Sequence, residues 1–403
     1  MSIEQYMDIA KWKLIREFSD TKESPFLVVD LKKIEENYLE LIKNFPNAKI
    51  YYAVKANPAA SIITLLNSLG SYFDIASRYE LDKVLSLGVS PERVSYGNTI
   101  KKRSDIAYFY KKGVRLFVTD SDLDLANIAQ NAPGSKVFVR ILTEGDRTSE
   151  WPLSRKFGCQ PDMAMDLIVM AKRLSLKPVG ISFHVGSQQL DIGAWDAAIA
   201  KVYQIFNRLL DENQIQLNMI NMGGGLPAHY MTKTHELETY ANEINRFMIE
   251  DFGEDHPQII LEPGRSLVAD AGVIVSEVVL ISRKSVHSLN RWVYLDVGKF
   301  HGLIETMGES IKFPLFSEQT LQNDQIDEED MEEVILAGPT CDSADILYED
   351  YKYALPRDLA IGDRLYWCTT GAYTRSYSSI EFNGFPPLKA YFIDKDGKIV
   401  EES

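Results

Sequence analysis

Between about residue 26 and residue 266, short apolar runs rich in β-branched and aromatic residues alternate with longer segments whose apolar residues recur every three or four positions. The short runs predict strands at Lys49–Val54, Phe73–Ala76, Val94–Tyr96, Leu116–Val118, Val137–Ile141, Val179–His184, Met219–Met222 and Ile259–Glu262. The longer ones predict helices over Ala60–Leu69, Tyr79–Leu87, Ser104–Lys111, Asp162–Leu174, Trp195–Asn213 and Glu236–Asp251. Pro58, Gly70, Gly88, Gly113 and Pro178 fall between these runs, where chain-breaking residues belong. Eight strands with intervening helices over about 240 residues match a (β/α)8 barrel, placed at residues 26–266.

Beyond Pro263-Gly264 the texture changes. Val273–Ile281, Arg291–Asp296, Glu333–Ala337, Arg364–Thr369 and Ala390–Ile393 read as strands without regular helices between them, and Asp394–Gly397 carries an Asp-Gly turn suited to a hairpin. A second, mostly β domain is therefore expected over residues 267–403, with residues 1–25 packing beside it. The stretch Glu318–Glu333 holds eight acids and reads as a hydrated loop.

Composition narrows the class. With 403 residues, 45% hydrophobic and 25% charged, the chain is an ordinary globular one, which excludes disordered, collagen-like and disulfide-stapled architectures. A net charge of −15 disfavours nucleic acid and anionic membranes and suits a small cationic substrate. The three cysteines, Cys159, Cys341 and Cys368, show no metal-binding spacing, so no metal is expected. Their sparse, odd number, with no leader-like N-terminus and no apolar run long enough to span a bilayer, predicts a soluble, cytoplasmic protein.

In such a barrel the reactive groups sit at the C-terminal ends of the strands. Lys55 follows the first predicted strand, Asp74 lies in the second, Arg140 in the fifth, and His184 ends the sixth. Gly223, Gly224 and Gly225 follow the seventh, and Glu262 ends the eighth. Each has a plain structural reading alone: a solvated lysine, a core histidine, a glycine turn. Their convergence on one rim predicts a site.

The same segments carry a resemblance. They are Tyr52-Ala53-Val54-Lys55-Ala56-Asn57, Phe73-Asp74-Ile75-Ala76-Ser77, Ser182-Phe183-His184-Val185-Gly186-Ser187, Gly223-Gly224-Gly225 and Glu262-Pro263-Gly264-Arg265, followed by Gly338–Asp345 and Gly371-Ala372-Tyr373-Thr374. In this order they resemble the fold-type III pyridoxal-phosphate decarboxylases. The tail Phe382–Pro387 is especially similar to bacterial ornithine and lysine/ornithine decarboxylases. The resemblance implies an alanine-racemase-like barrel with a C-terminal β domain, pyridoxal 5'-phosphate as cofactor, and a homodimer with shared active sites.

It also implies roles. Lys55 would form the Schiff base, with Asp74 orienting it. Glu262 would keep the pyridine nitrogen protonated, His184 would stack on the ring, and Arg140 would lie beneath it. Ser187, Gly223–Gly225, Gly264, Arg265 and Tyr373 would hold the phosphate, Tyr373 also bordering the substrate. From the partner subunit, Cys341 would return a proton to Cα and Asp342 would accept the distal ammonium of a diamino acid. The Cys341-Asp342-Ser343 order, where diaminopimelate decarboxylases have Cys-Glu-Ser, argues against a substrate with a second carboxylate. Eukaryotic ornithine decarboxylases carry a Tyr-Asp pair where Gly308-Glu309 stands, which makes Glu309 and Glu305 competing readers of the distal amine. The implied reaction is decarboxylation of L-ornithine to putrescine, with L-lysine to cadaverine as a secondary reaction; the alternatives are a lysine-preferring enzyme and a non-catalytic regulatory homologue.

Overall fold

The computed structural model describes residues 2–143, 148–151, 156–322 and 328–402. Its chain contacts separate two compact units. The larger comprises Glu35–Pro227 and Thr234–Leu267; the other comprises Met1–Ile34, Ala228–Lys233 and Val268–Ser403.

The larger unit is a closed barrel of eight parallel strands: Ala48–Ala53, Tyr72–Ile75, Val94–Tyr96, Leu116–Thr119, Lys136–Arg140, Lys177–Ser182, Met219–Asn221 and Gln258–Leu261. The eighth closes on the first through Ile259–Ala48 and Leu261–Ile50 pairing. Strands buried on both faces explain why they read as nearly continuous apolar runs. Tyr51, Val118, Phe138, Met219 and Ile260 form an apolar cluster that draws on five of these strands. All eight predicted strands are present with small shifts at their ends. Two helices escaped the periodicity reading, Leu31–Asn44 and Asp122–Asn131. The first buries Ile34, Tyr38 and Leu41, a legible three-and-four spacing. Polar Asp, Asn and Gln residues interrupt the pattern of the second, although Ser121 caps its start by accepting from the Asp124 N–H.

The β-rich unit holds a nine-stranded sheet. Its expected strands appear as Gly272–Ser282, Arg291–Leu295, Met331–Ala337, Arg364–Cys368 and Lys389–Ile393, and the Asp394–Gly397 turn joins the last to Ile399–Glu401. Ile346–Pro356 and Leu315–Ser317 are additional. The division expected at residue 26 needs correction. Phe26–Asp30, buried along its length, pairs antiparallel with Gly272–Ser282 and parallel with Lys389–Ile393, so this strand belongs to the β sheet. Long-range pairing of this kind leaves no local trace. Trp12 and Ile15 of the N-terminal helix Ile9–Ser19 join Phe26, Val273, Tyr366 and Tyr391 in one core.

The acidic stretch also departs from a simple hydrated loop. Glu318 accepts from Arg16 Nε at 2.6 Å, and Glu332 pairs with Arg283 and lies 3.8 Å from Arg291 and 4.0 Å from Arg357. Residues 323–327 of that stretch lie outside the described residues. Among the described residues, no helix is long and apolar enough to cross a membrane.

Candidate active site

The barrel unit gathers its predicted groups at the C-terminal ends of its strands. The first strand ends at Ala53 and passes into a single 3-10 turn, Val54–Ala56, which carries Lys55 at an exposed position. The buried Tyr52 hydroxyl anchors this turn by donating to the Asn57 carbonyl at 2.8 Å. Asp74, in the second strand, accepts from Ser95 Oγ at 3.0 Å. Gly97 makes room for it, since a Cβ there would lie 1.8 Å from Asp74 Oδ1.

His184 follows the sixth strand, which stops at Ser182 rather than at the histidine. Its Nδ1 accepts from the Gly186 N–H at 3.0 Å, which places the proton of the neutral ring on Nε2. Burial, reinforced by the positive charges of Arg140 and Lys55, lowers its pKa well below the ordinary value. The ring is therefore neutral at physiological pH. Arg140 ends the fifth strand and lies 5.1 Å from the Phe157 ring centre. Burial lowers the pKa of its guanidinium, while Glu262, Asp120 and Asp74 oppose that shift.

After the seventh strand the chain turns through Gly223 at φ +64° and Gly225 at φ +115°, the left-handed region that glycine tolerates. Space requires glycine as well. A Cβ on Gly223 would lie 2.5 Å from the Phe183 carbonyl, and one on Gly224 would lie 2.9 Å from that of Glu262 and 3.3 Å from His184 Nε2. Glu262 directly follows the eighth strand, and its N–H donates to the Gly223 carbonyl at 2.7 Å. Two residues on, the buried Gly264 precedes Arg265, whose Nε donates to Ser187 Oγ at 3.1 Å. A glycine cradle beside a hydroxyl and a buried guanidinium suits a phosphate, and Glu262 and Lys55 suit a protonated ring nitrogen and an aldehyde. These residues fit pyridoxal 5'-phosphate.

Three participants escaped the sequence reading. Asn221 donates to Glu262 Oε1 and accepts from the Gly223 N–H at 2.8 Å. Ser95 supports Asp74. Glu80 accepts from the Ala76 N–H at 2.7 Å while Ser77 accepts from the Glu80 N–H at 3.3 Å, so Ser77-x-x-Glu80 was a legible helix-start pattern.

Asp74 yields a pH prediction. Burial, then repulsion from Glu262, raises its pKa well above the ordinary carboxylate value; Lys55 and Ser95 oppose them more weakly. Folded Asp74 therefore holds its proton to higher pH than the unfolded chain does. Its contribution to stability falls as pH rises from the ordinary aspartate range through the raised value. Asp74→Asn is expected to raise the urea midpoint of the ligand-free protein at pH 8 and leave it unchanged near pH 3. A variant less stable than wild type at pH 8 would show that the carboxylate stabilises its surroundings instead.

In the β-rich unit, Cys341 and Asp342 are exposed on the loop after Met331–Ala337. Buried Asp345 organises that loop, accepting from the Thr340 hydroxyl at 2.6 Å, the Thr340 N–H at 3.1 Å and the Lys299 N–H at 2.7 Å. The Cys341 N–H donates to Asn383 Oδ1 at 3.0 Å, and Asp342 Oδ1 accepts from the Ala344 N–H at 2.8 Å. Tyr373 is half-buried with φ +55°.

Glu309 is committed elsewhere. Its carboxylate accepts from the backbone N–H groups of Glu349, Asp350 and Tyr351 at 2.6, 2.8 and 2.7 Å. Burial works against its ionisation, but these three donors and Lys312 hold its pKa below the ordinary glutamate value. Glu309 thus ties the Ile304–Glu309 turn to the strand Ile346–Pro356, and its carboxylate is engaged by backbone donors there. Glu305 is buried, 2% exposed, within Ile304–Glu309.

Comparison with known proteins agrees with this geometry. Residues 31–269 match the family model described as the pyridoxal-binding domain of pyridoxal-dependent decarboxylases. The chain is 31% identical to the lysine/ornithine decarboxylase of Selenomonas ruminantium, over 90% of this chain and 88% of that one. It is 32% identical to antizyme inhibitor 2 of Xenopus laevis, over 94% and 83%. The solved lysine/ornithine decarboxylase of Vibrio vulnificus, complexed with putrescine, superposes with a TM-score of 0.83 at 26% identity, covering 96% of this chain and 99% of that one. The rim of Lys55, His184, the glycine turn and Glu262 therefore belongs to a member of the pyridoxal-dependent decarboxylase family, an amino-acid decarboxylase of the ornithine decarboxylase type that uses pyridoxal 5'-phosphate.

Proposed function

We propose that the chain decarboxylates L-ornithine to putrescine and CO2, with L-lysine as a second substrate, and that it works as a homodimer with shared sites. The observation that carries this reading is the exposed carboxylate of Asp342 beside the Cys341 thiol, on a loop that Asp345 braces. A short carboxylate next to a proton donor suits a substrate with a distal ammonium, whereas a distal carboxylate would meet like charge.

Lys55 would bind the cofactor aldehyde covalently. Ser187, the N–H groups of Gly223–Gly225 and Arg265 would hold its phosphate, with Tyr373 as a further contact and Gly264 setting the approach of Arg265. When bound, pyridoxal phosphate supplies the electron sink that accepts the electron pair freed as CO2 leaves. Glu262 would hold a proton at the pyridine nitrogen, which strengthens that sink. Neutral His184 would cover one ring face and exclude water, with Arg140 below. Cys341, from the partner subunit, would deliver a proton to Cα, and Asp342 beside it would fix the substrate by its distal ammonium. With Glu309 committed to backbone donors, Glu305 is the remaining acid of its segment that could tune the depth of the pocket.

The likeness to a protein named as an antizyme inhibitor raises a regulatory homologue as a second reading. Retention of Lys55, Glu262, Arg265 and Cys341 together favours the catalytic one.

The test is kcat/KM for ornithine, lysine, arginine and diaminopimelate on one preparation. Ornithine should lead, lysine should follow, and diaminopimelate should fall at least about 100-fold behind, because its second carboxylate would meet the like charge of Asp342. Comparable rates on diaminopimelate would sink the argument from Asp342. A lysine rate above the ornithine rate would exchange the two substrates.

A further inference from the structure

Asn221 is the last residue of the seventh barrel strand and is 1% exposed. Its side-chain amide faces two partners of opposite polarity. Nδ2 donates to Glu262 Oε1, and Oδ1 accepts from the Gly223 N–H at 2.8 Å. The orientation of the amide is therefore determined: a backbone N–H can only donate, and a carboxylate can only accept. Backbone bonds brace the same residues, since the Phe183 N–H donates to the Asn221 carbonyl at 2.9 Å and the Glu262 N–H to the Gly223 carbonyl at 2.7 Å.

We propose that Asn221 is a positioning residue that joins the carboxylate assigned to the pyridine nitrogen to the glycine turn assigned to the phosphate. The two polar ends of the cofactor are then received by one rigid piece of protein. A tilt of Glu262 is resisted by the turn, and a shift of the turn is resisted by Glu262. The inference rests on the roles proposed above for Glu262 and the glycine turn.

Aspartate has the same shape as asparagine and separates the two bonds. In Asn221→Asp one carboxylate oxygen still accepts from Gly223, while the other now faces Glu262. Two adjacent carboxylates share one proton, and they repel each other when that proton is lost. Asn221→Asp should therefore act like wild type at low pH and fail as pH rises. In Asn221→Ala both bonds disappear at any pH.

The experiment measures the pyridoxal phosphate dissociation constant and kcat from pH 6 to pH 8.5 for wild type, Asn221→Ala, Asn221→Asp and Glu262→Gln. Asn221→Ala should weaken cofactor binding about tenfold or more, as expected for a lost bond to a charged group. Asn221→Asp should bind the cofactor within about threefold of wild type at pH 6, and its kcat relative to wild type should then drop about tenfold by pH 8.5. A merely structural asparagine would not produce that alkaline loss. A pH-independent ratio for Asn221→Asp, with Glu262→Gln impaired, overturns the coupling and leaves the role of Glu262 intact. Wild-type turnover in Glu262→Gln overturns that role and the coupling with it.

Discussion

Replacing Lys55 with alanine is expected to abolish turnover, lowering kcat by on the order of 10⁴-fold or more, as removal of a catalytic nucleophile does. The position of the residue carries this expectation. Lys55 sits on a turn that Tyr52 and Asn57 brace, where the barrel opens, and its charge is felt by Asp74, Glu80 and His184. Among the described residues, Lys55 is the lysine whose charge bears on Asp74, Glu80 and His184 together. Two readouts separate chemistry from folding. Borohydride reduction of the wild-type holoenzyme should leave the cofactor joined to the peptide containing Lys55 through a secondary amine, a gain of the cofactor's mass less one oxygen, and the variant should take up no such label. Its urea midpoint should stay close to that of wild type, since the side chain is exposed. Normal decarboxylation by the variant, or a label on another lysine, would refute the assignment.

The second large effect is a recovery of activity. Lys55→Ala and Cys341→Ala homodimers should each be nearly inactive. Mixed in equal amounts with subunit exchange, they should regain about a quarter of wild-type activity. Random pairing makes about half the dimers heterodimers, and a two-fold axis gives each of these one intact site and one doubly damaged site. If Lys55 and Cys341 served the same site from one chain, every site would carry a lesion and mixing would restore nothing. Recovery near zero, with exchange verified by tagged subunits, would reject the shared site. Products add a further test, because Cys341→Ala should misplace the proton that follows CO2 loss. An aldehyde should appear at the expense of putrescine.

Much of the barrel was legible in the sequence for a local reason. A strand buried on both faces must be apolar along its length, and the helix that returns the chain must be apolar on one side. The rim followed from the same pattern, because strand ends locate the reactive face. Phe26–Asp30 shows where local reasoning stops: as an apolar run it suits either unit, and only its pairing with Val273–Val275 and Lys389–Ile393 assigns it. Glu309 and Asn221 show the same limit among the polar residues. Nothing near Glu309 in sequence says that its carboxylate meets three N–H groups about 40 residues on. Nothing near Asn221 says that its amide meets Glu262, 41 residues away.

By itself, then, the sequence determined the alternation of strand and helix, the glycine turn, and the identity of the groups at the rim. All of these depend on residue type and short-range spacing. The tertiary structure decided which acids are available and which are spent. A carboxylate's role depends on the donors and charges around it, and folding brings those from distant parts of the chain.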